Sequence, residues 1–129
     1  MEIALRAALL AWLSADPALI AALNSIVEEI PSRTALPWLA ISASASADWS
    51  VKELAGREVR VALELHCRGD QPDAAADLVA AIEARIASMP GDQGAFQIVS
   101  TSFLRARAEM RAANTRAALL EYRFRVLAA

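Results

Sequence analysis

Asp48-Trp49-Ser50-Val51-Lys52-Glu53-Leu54-Ala55-Gly56-Arg57-Glu58 runs straight into Val59-Arg60-Val61-Ala62-Leu63-Glu64-Leu65-His66-Cys67, and the reading of the whole chain turns on this stretch. Its second half is apolar at Val59, Val61, Leu63, Leu65 and Cys67 and polar at Arg60, Glu64 and His66. Side chains alternate between the faces of a strand, so this period of two predicts a strand over Glu58–Cys67 with one face on a core and the other toward water or a partner. The first half is a polar connection containing Gly56, with Trp49, Lys52 and Arg57 available for contact and no catalytic pattern. The combination points to assembly rather than chemistry.

Upstream of that strand, Pro37-Trp38-Leu39-Ala40-Ile41-Ser42 reads as a second strand, with proline at its start where a missing amide donor is tolerated. Ser42 to Ala47 alternates serine and alanine, a pattern equally compatible with more strand or with a mobile loop. Ile26–Ile30 is a short strand candidate before Pro31. Asp16-Pro17 restarts the chain, because aspartate caps a helix and proline suits its first position, and this predicts a turn or two of helix over Pro17–Leu23. Ile3 to Leu13 predicts the opening helix. Its apolar residues occupy most of the circumference, which is the signature of a helix with more than one neighbour: the core alone, or the core and a second subunit.

Downstream, Arg68-Gly69-Asp70 forms a turn, and Asp70 or Gln71 caps a helix entered through Pro72. Leu78, Ile82, Ile86 and Met89 recur at helical spacing, with Asp73 and Asp77 early and Arg85 late, as the helix dipole favours. Pro90-Gly91 stops the helix. Two strands close the chain, about Phe96–Arg107 and Arg116–Val126. The last alternates Leu120, Tyr122, Phe124 and Val126 with Glu121, Arg123 and Arg125. The one before it is untidy, with Ile98 and Leu104 on one face and Val99 and Phe103 on the other, which suggests cover on both faces. The segment Ala108–Thr115 between them is long for a hairpin turn, so it is expected to project and to gather Arg107, Arg111 and Arg116 at its tip. The fold class is therefore α+β: a mainly antiparallel sheet of four to five strands, with the N-terminal helix and a second helix packed on one face.

A chain of 129 residues and 13.8 kDa fits one domain spanning residues 1–129, and at this size roughly two-thirds of the extended-chain surface is buried on folding. The hydrophobic fraction of 57% includes 31 alanines, so the residues able to fill a core are about a third of the chain. The net charge of −2 does not by itself imply a nucleic-acid or membrane partner. After Gln93, however, six arginines face only Glu109 and Glu121, and every basic residue except Lys52 is arginine, the cation enriched at protein interfaces. Cys67 is alone, which excludes an intrachain disulfide and suits a reducing compartment. Glu2 and Arg6 spoil the opening helix as a secretory signal, and no uninterrupted apolar run is long enough for a bilayer, so a soluble protein is expected.

Chemistry is hard to find. His66 and Cys67 are the one nucleophile–base pair available, and neighbours on a strand point to opposite faces. His66 then reads as a surface or interface side chain and Cys67 as a small core residue. One histidine and one cysteine make no metal pair, and the four glycines are scattered over turns rather than gathered in a phosphate loop. The C-terminal arginines favour nucleic acid, but the acidic total and the lack of an aromatic row on a basic strand face oppose it.

Taken together, these segments resemble the small tail-completion, or tail-terminator, proteins of long-tailed phages and phage-derived gene transfer agents. The resemblance runs almost end to end, from the apolar helix Ile3–Leu13 and the Asp16-Pro17 restart through Pro37-Trp38 to Asp48-Trp49-Ser50 with Lys52, Gly56, Arg57 and Glu58. It continues through the strand to Cys67 and the Asp/Ala-rich helix to Phe103-Leu104-Arg105-Ala106-Arg107 and Tyr122-Arg123-Phe124-Arg125. The chain departs from the pattern at Glu53-Leu54-Ala55, bulkier than the Gly-rich version, and at the tip Glu109–Thr115, which lacks the usual Asp/Gly turn. The resemblance implies a structural virion protein of the tail or neck, assembled in the host cytoplasm, without enzymatic activity, cofactor, metal or membrane partner and without sequence-specific nucleic-acid binding. It implies a homo-oligomeric ring of about six copies that caps the head-proximal end of the tail tube, stops polymerisation, and offers a surface to the head–tail connector or stopper. Trp49, Lys52, Arg57, Arg107, Arg111 and Arg116 are the candidate partner contacts. Another neck component, or a small nucleic-acid-binding or regulatory module, is the alternative.

Overall fold

In the computed structural model of the chain, which describes residues 1–31 and 34–129, the alternating stretch forms the central strand of a five-stranded sheet. The elements run α1 Glu2–Ser14, α2 Pro17–Ala22, β1 Ser25–Val27, β2 Trp38–Asp48, β3 Gly56–Arg68, α3 Pro72–Ala87, β4 Phe96–Arg111 and β5 Thr115–Ala128. Strand order is β1-β2-β3-β5-β4, antiparallel throughout except that β1 runs parallel to β2. The sheet is thus mixed, with one parallel pair at the β1 edge.

One face of the sheet carries the helices. Val59, Val61, Leu63 and Leu65 of β3 join Leu39 and Ile41 of β2 and Leu120, Tyr122, Phe124 and Val126 of β5 in one buried cluster. Leu5, Leu9 and Leu13 of α1 and Ala75, Ile82 and Ile86 of α3 close over it. The spacing of four between the α1 leucines puts them on one stripe, and the rest of the wide apolar arc is divided: Leu10 and Trp12 are half-buried, while Ile3 is 80% exposed. The two helices latch to each other. The Arg85 guanidinium lies 3.4 Å from the Trp12 ring centroid and donates to the Trp12 carbonyl at 2.9 and 2.7 Å. In return the Trp12 indole donates to the Arg85 carbonyl at 2.7 Å. Arg6 ties α1 to the sheet, donating to the Ile41 carbonyl at 3.0 Å and to Ser44 at 2.9 Å, and Ser44 donates to Glu2 at 2.7 Å.

Several sequence expectations need correction. The serine–alanine run, which the sequence left open, is strand: β2 continues to Asp48, with a register shift between Ile41 and Ala43 that lets Ser42 donate to the Ala62 carbonyl. β1 covers Ser25–Val27 rather than Ile26–Ile30, and Ile30 is 55% exposed. The untidy pattern of β4 comes from two bulges, between Ile98 and Ser100 and between Phe103 and Arg105. An extra residue resets which face follows, so Phe96, Ile98 and Phe103 all lie on the helix-bearing face. β4 is not covered on both sides, since Val99 and Phe103 are about half exposed. Ala108–Arg111 is strand as well, leaving only a three-residue turn before Thr115 with Ala113 and Asn114 at positive φ. That turn does not project: the Gly69 amide donates to the Asn114 carbonyl at 2.7 Å.

His66 is not a surface side chain. It is 8% exposed, stacked on Trp38 with ring centroids 4.0 Å apart, and its Nε2 lies 3.1 Å from Glu64. Trp38 and His66 are register partners on the helix-free face, so each aromatic ring shields the other where no helix does. Cys67 is buried on the opposite face, beside α3.

Candidate functional site

The six candidate contact residues fall at opposite ends of one long sheet. β3 has 13 residues, which at strand rise separates its ends by about 40 Å. Trp49, Lys52 and Arg57 lie at the end where β2 turns into β3. Arg107, Arg111 and Arg116 lie toward the end where β4 turns into β5.

At the first end the Asp48–Gly56 signature is a self-contained turn. Ser50 donates to Asp48 Oδ1 at 2.6 Å and accepts from the Gly56 amide at 3.1 Å, while the Trp49 amide donates to the Gly56 carbonyl at 3.0 Å. Val51 and Leu54 exchange backbone hydrogen bonds at 3.0 and 3.1 Å, with Glu53 at φ 71° between them. Lys52 is therefore held out at the tip, exposed, flanked by Val51 and Leu54, both more than 40% exposed. Trp49 is half-buried under this turn, its ring 5.6 Å from the Arg125 guanidinium, and Arg57 is exposed and donates to Ser46 at 3.2 Å.

At the other end the expected arginine cluster does not form. Arg107 and Arg111 lie on the helix-free face by register, opposite Leu119 and Thr115. Arg111 donates to Glu109 at 3.0 and 2.8 Å, which holds the Glu109 carboxyl below its ordinary pKa, whereas Arg107 reaches Glu109 only at 4.0 Å. Arg116 is register partner to Cys67 on the helix-bearing face and donates to the Gly69 carbonyl at 3.0 Å. It braces the turn into α3, so it is part of the fold's own wiring. Burial, opposed by the nearby Arg116, pushes the Cys67 thiol pKa up. The His66–Cys67 register also keeps imidazole and thiol on opposite faces, which removes them as a nucleophile–base pair.

The surface features that sequence reading missed are at the sheet's edges. β4 is an open edge strand of 16 residues, with Phe103 50% and Met110 53% exposed on its helix-bearing face. Between it and α3 runs an apolar groove of about 380 Å³ lined by Ala75, Ala76, Val79, Ala108 and Ala118. On the opposite edge Ile3, Leu10, Ile26 and Pro31, together with Arg6, Glu28 and Glu29, line a shallow cavity of about 670 Å³ between α1 and β1. The breaks in alternation around Val99 and Leu104 were the available sign that β4 is irregular, but periodicity does not tell an edge from a centre. No helix is long and apolar enough to cross a membrane, and among the described residues no cluster of three or more potential metal ligands occurs.

Comparison with curated proteins finds no match. Among solved structures the fold is similar to a chain of the virion of a native gene transfer agent particle, with a TM-score of 0.76 and 24% identity over 95% of this chain and 94% of that one. The family model of tail completion protein gp17 matches residues 7–127, nearly the whole of α1 through β5. The chain belongs to the tail completion protein gp17 family, a family of structural components of the phage tail.

Proposed function

We propose that the chain is a tail terminator: a single 129-residue domain that assembles into a ring of about six copies on the head-proximal end of the tail tube. There it blocks addition of the next tube ring and presents its other side to the head–tail connector or stopper. It works by geometry rather than by catalysis, within the neck of the virion.

The observation that carries this reading is that both edges of the sheet expose apolar side chains, and that the two differ. A ring requires a heterologous interface, in which each copy offers one surface to the neighbour on its left and another to the neighbour on its right. The β4 edge with Phe103, Met110 and the alanine-lined groove supplies one, and the α1–β1 edge with Ile3 and its cavity supplies the other. An open 16-residue strand is also a hazard unless something covers it. With the edges joined copy to copy, the two ends of the sheet point out of the ring plane. Trp49, Lys52 and Arg57 then meet one partner, and Arg107 and Arg111 the other. The similarity to a gene transfer agent virion chain supports the same assignment.

The test is negative-stain imaging of particles assembled with and without the protein, with native mass measurement of the protein beside it. Over-long or headless tails in its absence are the expected result. Uniform, joined tails without it overturn the reading, and co-purification with empty heads instead of tubes would make it a connector component. Met110→Arg should leave a folded monomer that no longer assembles, because it places a charge on the β4 edge at a half-exposed side chain outside the buried cluster.

A further inference from the structure

The register of the sheet places two arginines side by side, neither with an ion pair among the described residues. Across the helix-free face one row reads Ala45, Arg60, Arg123, Ser102, from β2 through β3 and β5 to β4. Arg60 and Arg123 are direct cross-strand partners, an arrangement that like charges disfavour. The carboxylates in the adjoining rows are already engaged. Glu58 accepts from Arg125 at 3.2 Å, and Glu121 accepts from Arg105 at 3.0 and 2.9 Å. Arg60 helps hold the Glu121 carboxyl below its ordinary pKa but makes no hydrogen bond with it. Among the described residues neither Arg60 nor Arg123 has an ion pair, and the Arg123 Nε is buried without a hydrogen-bond partner. A like-charge pair across strands is a costly arrangement that an arriving anion would relieve.

We propose that the Arg60–Arg123 pair is a phosphate-binding row, and that its ligand is the backbone of double-stranded DNA, contacted without regard to sequence. Four observations select that ligand. By register the face carries seven arginines against four glutamates, although the whole chain is net −2, so its positive charge is concentrated here. The residues beside the row are Ala45 and Ser102, and the next rows add Ala43 and Ala47 on β2, so a backbone can approach both guanidinium groups from the β2 side; on β4 the next rows hold Ser100 and Arg105, the latter paired with Glu121. An acidic protein partner would want apolar anchors to bury, and none surrounds the row, whereas protein–DNA contacts are polar and positively charged. No aromatic residue stands in the row or in the two beside it to stack an unpaired base, which favours duplex over single strand.

The inference does not depend on ring assembly, because the row lies within one chain. Binding of the full-length protein to a short mixed-sequence DNA duplex, followed by fluorescence anisotropy across a salt series, tests it. The wild type should bind with a steep salt dependence, and R60A/R123A should bind several-fold more weakly with the slope of log K against log salt reduced by roughly two, one for each lost phosphate contact. The melting temperature of R60A/R123A should not fall, since the change removes a repulsion. If loss of the part-buried Arg123 prevents folding, R60A alone should reduce the slope by about one. Equal or tighter binding of poly-glutamate would reassign the row to an acidic protein, and binding unchanged by either variant, or absent in the wild type at low salt, would overturn the proposal.

Discussion

Gly56 lies where a Cβ would meet the Trp49 carbonyl oxygen at 2.5 Å and the Leu127 side chain at 2.7 Å. Backbone is on one side, so the clash has nowhere to go, and its amide must also reach Ser50. Gly56→Ala should lower stability by about 1–3 kcal/mol, read as a shifted urea midpoint, and an unchanged midpoint would show that the turn can open. Tyr122 offers a second check, because it is the chain's one tyrosine. Burial, with Glu83 nearby, pushes its phenol pKa up to about 12. An unfolded tyrosine titrates near ~10, so between those values the unfolded chain has lost a proton that the folded chain keeps, and stability must fall as pH rises through that window. Phenolate absorbance should therefore appear near pH 12 in the native protein, with Tyr122→Phe flattening the alkaline loss of stability. At the acid end Glu2, held below its ordinary pKa first by Ser44, works with the opposite sign. Its contribution is present above the unfolded carboxylate pKa and is lost as pH falls.

Among the elements, α1 and α3 are joined by the reciprocal Arg85–Trp12 contacts as well as by their apolar stripes. A cation donating to a carbonyl in a partly buried place is worth about 1.5–3 kcal/mol, and the ring stacking adds to it. Arg85→Ala should lose about that much stability in denaturant unfolding, while Arg85→Lys, which has no planar fork, should recover only part of it. Loss from neither variant would mean that the leucine stripe alone seats α1. β4 shows the opposite situation, an element whose character comes from two bulges rather than from its side chains. Each bulge shifts the alternation by one, so Phe103 ends on the helix-bearing face beyond the reach of any helix.

For the whole molecule, the sheet acts as a rigid spacer between two unlike ends. Lys52 and Arg107, at or toward opposite ends, are both exposed, and Lys52 has no ion pair among the described residues while Arg107 has only a 4.0 Å contact. Lys52→Glu and Arg107→Glu should each leave the thermal unfolding curve within a few tenths of a kcal/mol of wild type. Each should also weaken attachment to a different partner, read by which of tube capping or head joining fails. Loss of both steps in both variants would show that the ends do not act separately. Arg116 is unsuited to this test, since its bond to the Gly69 carbonyl makes it part of the fold.

The elements themselves were legible because their causes are local. Alternation along Val59–Cys67 and Leu120–Val126, the Asp16-Pro17 and Pro72 helix starts, and the Pro90-Gly91 stop all act within a few residues. The Asp48-to-Gly56 signature was legible too, and its Ser50 bonds to Asp48 and Gly56 show how it closes into a turn. Tertiary structure alone decided strand order, which strands became edges, and which faces the helices covered, because these depend on pairings between residues far apart in the chain. It buried His66 against Trp38, turned Arg116 inward, and set Arg60 opposite Arg123. A side chain's alternation tells only which residues share its face; what lies across that face is set by register, and register is a property of the folded sheet.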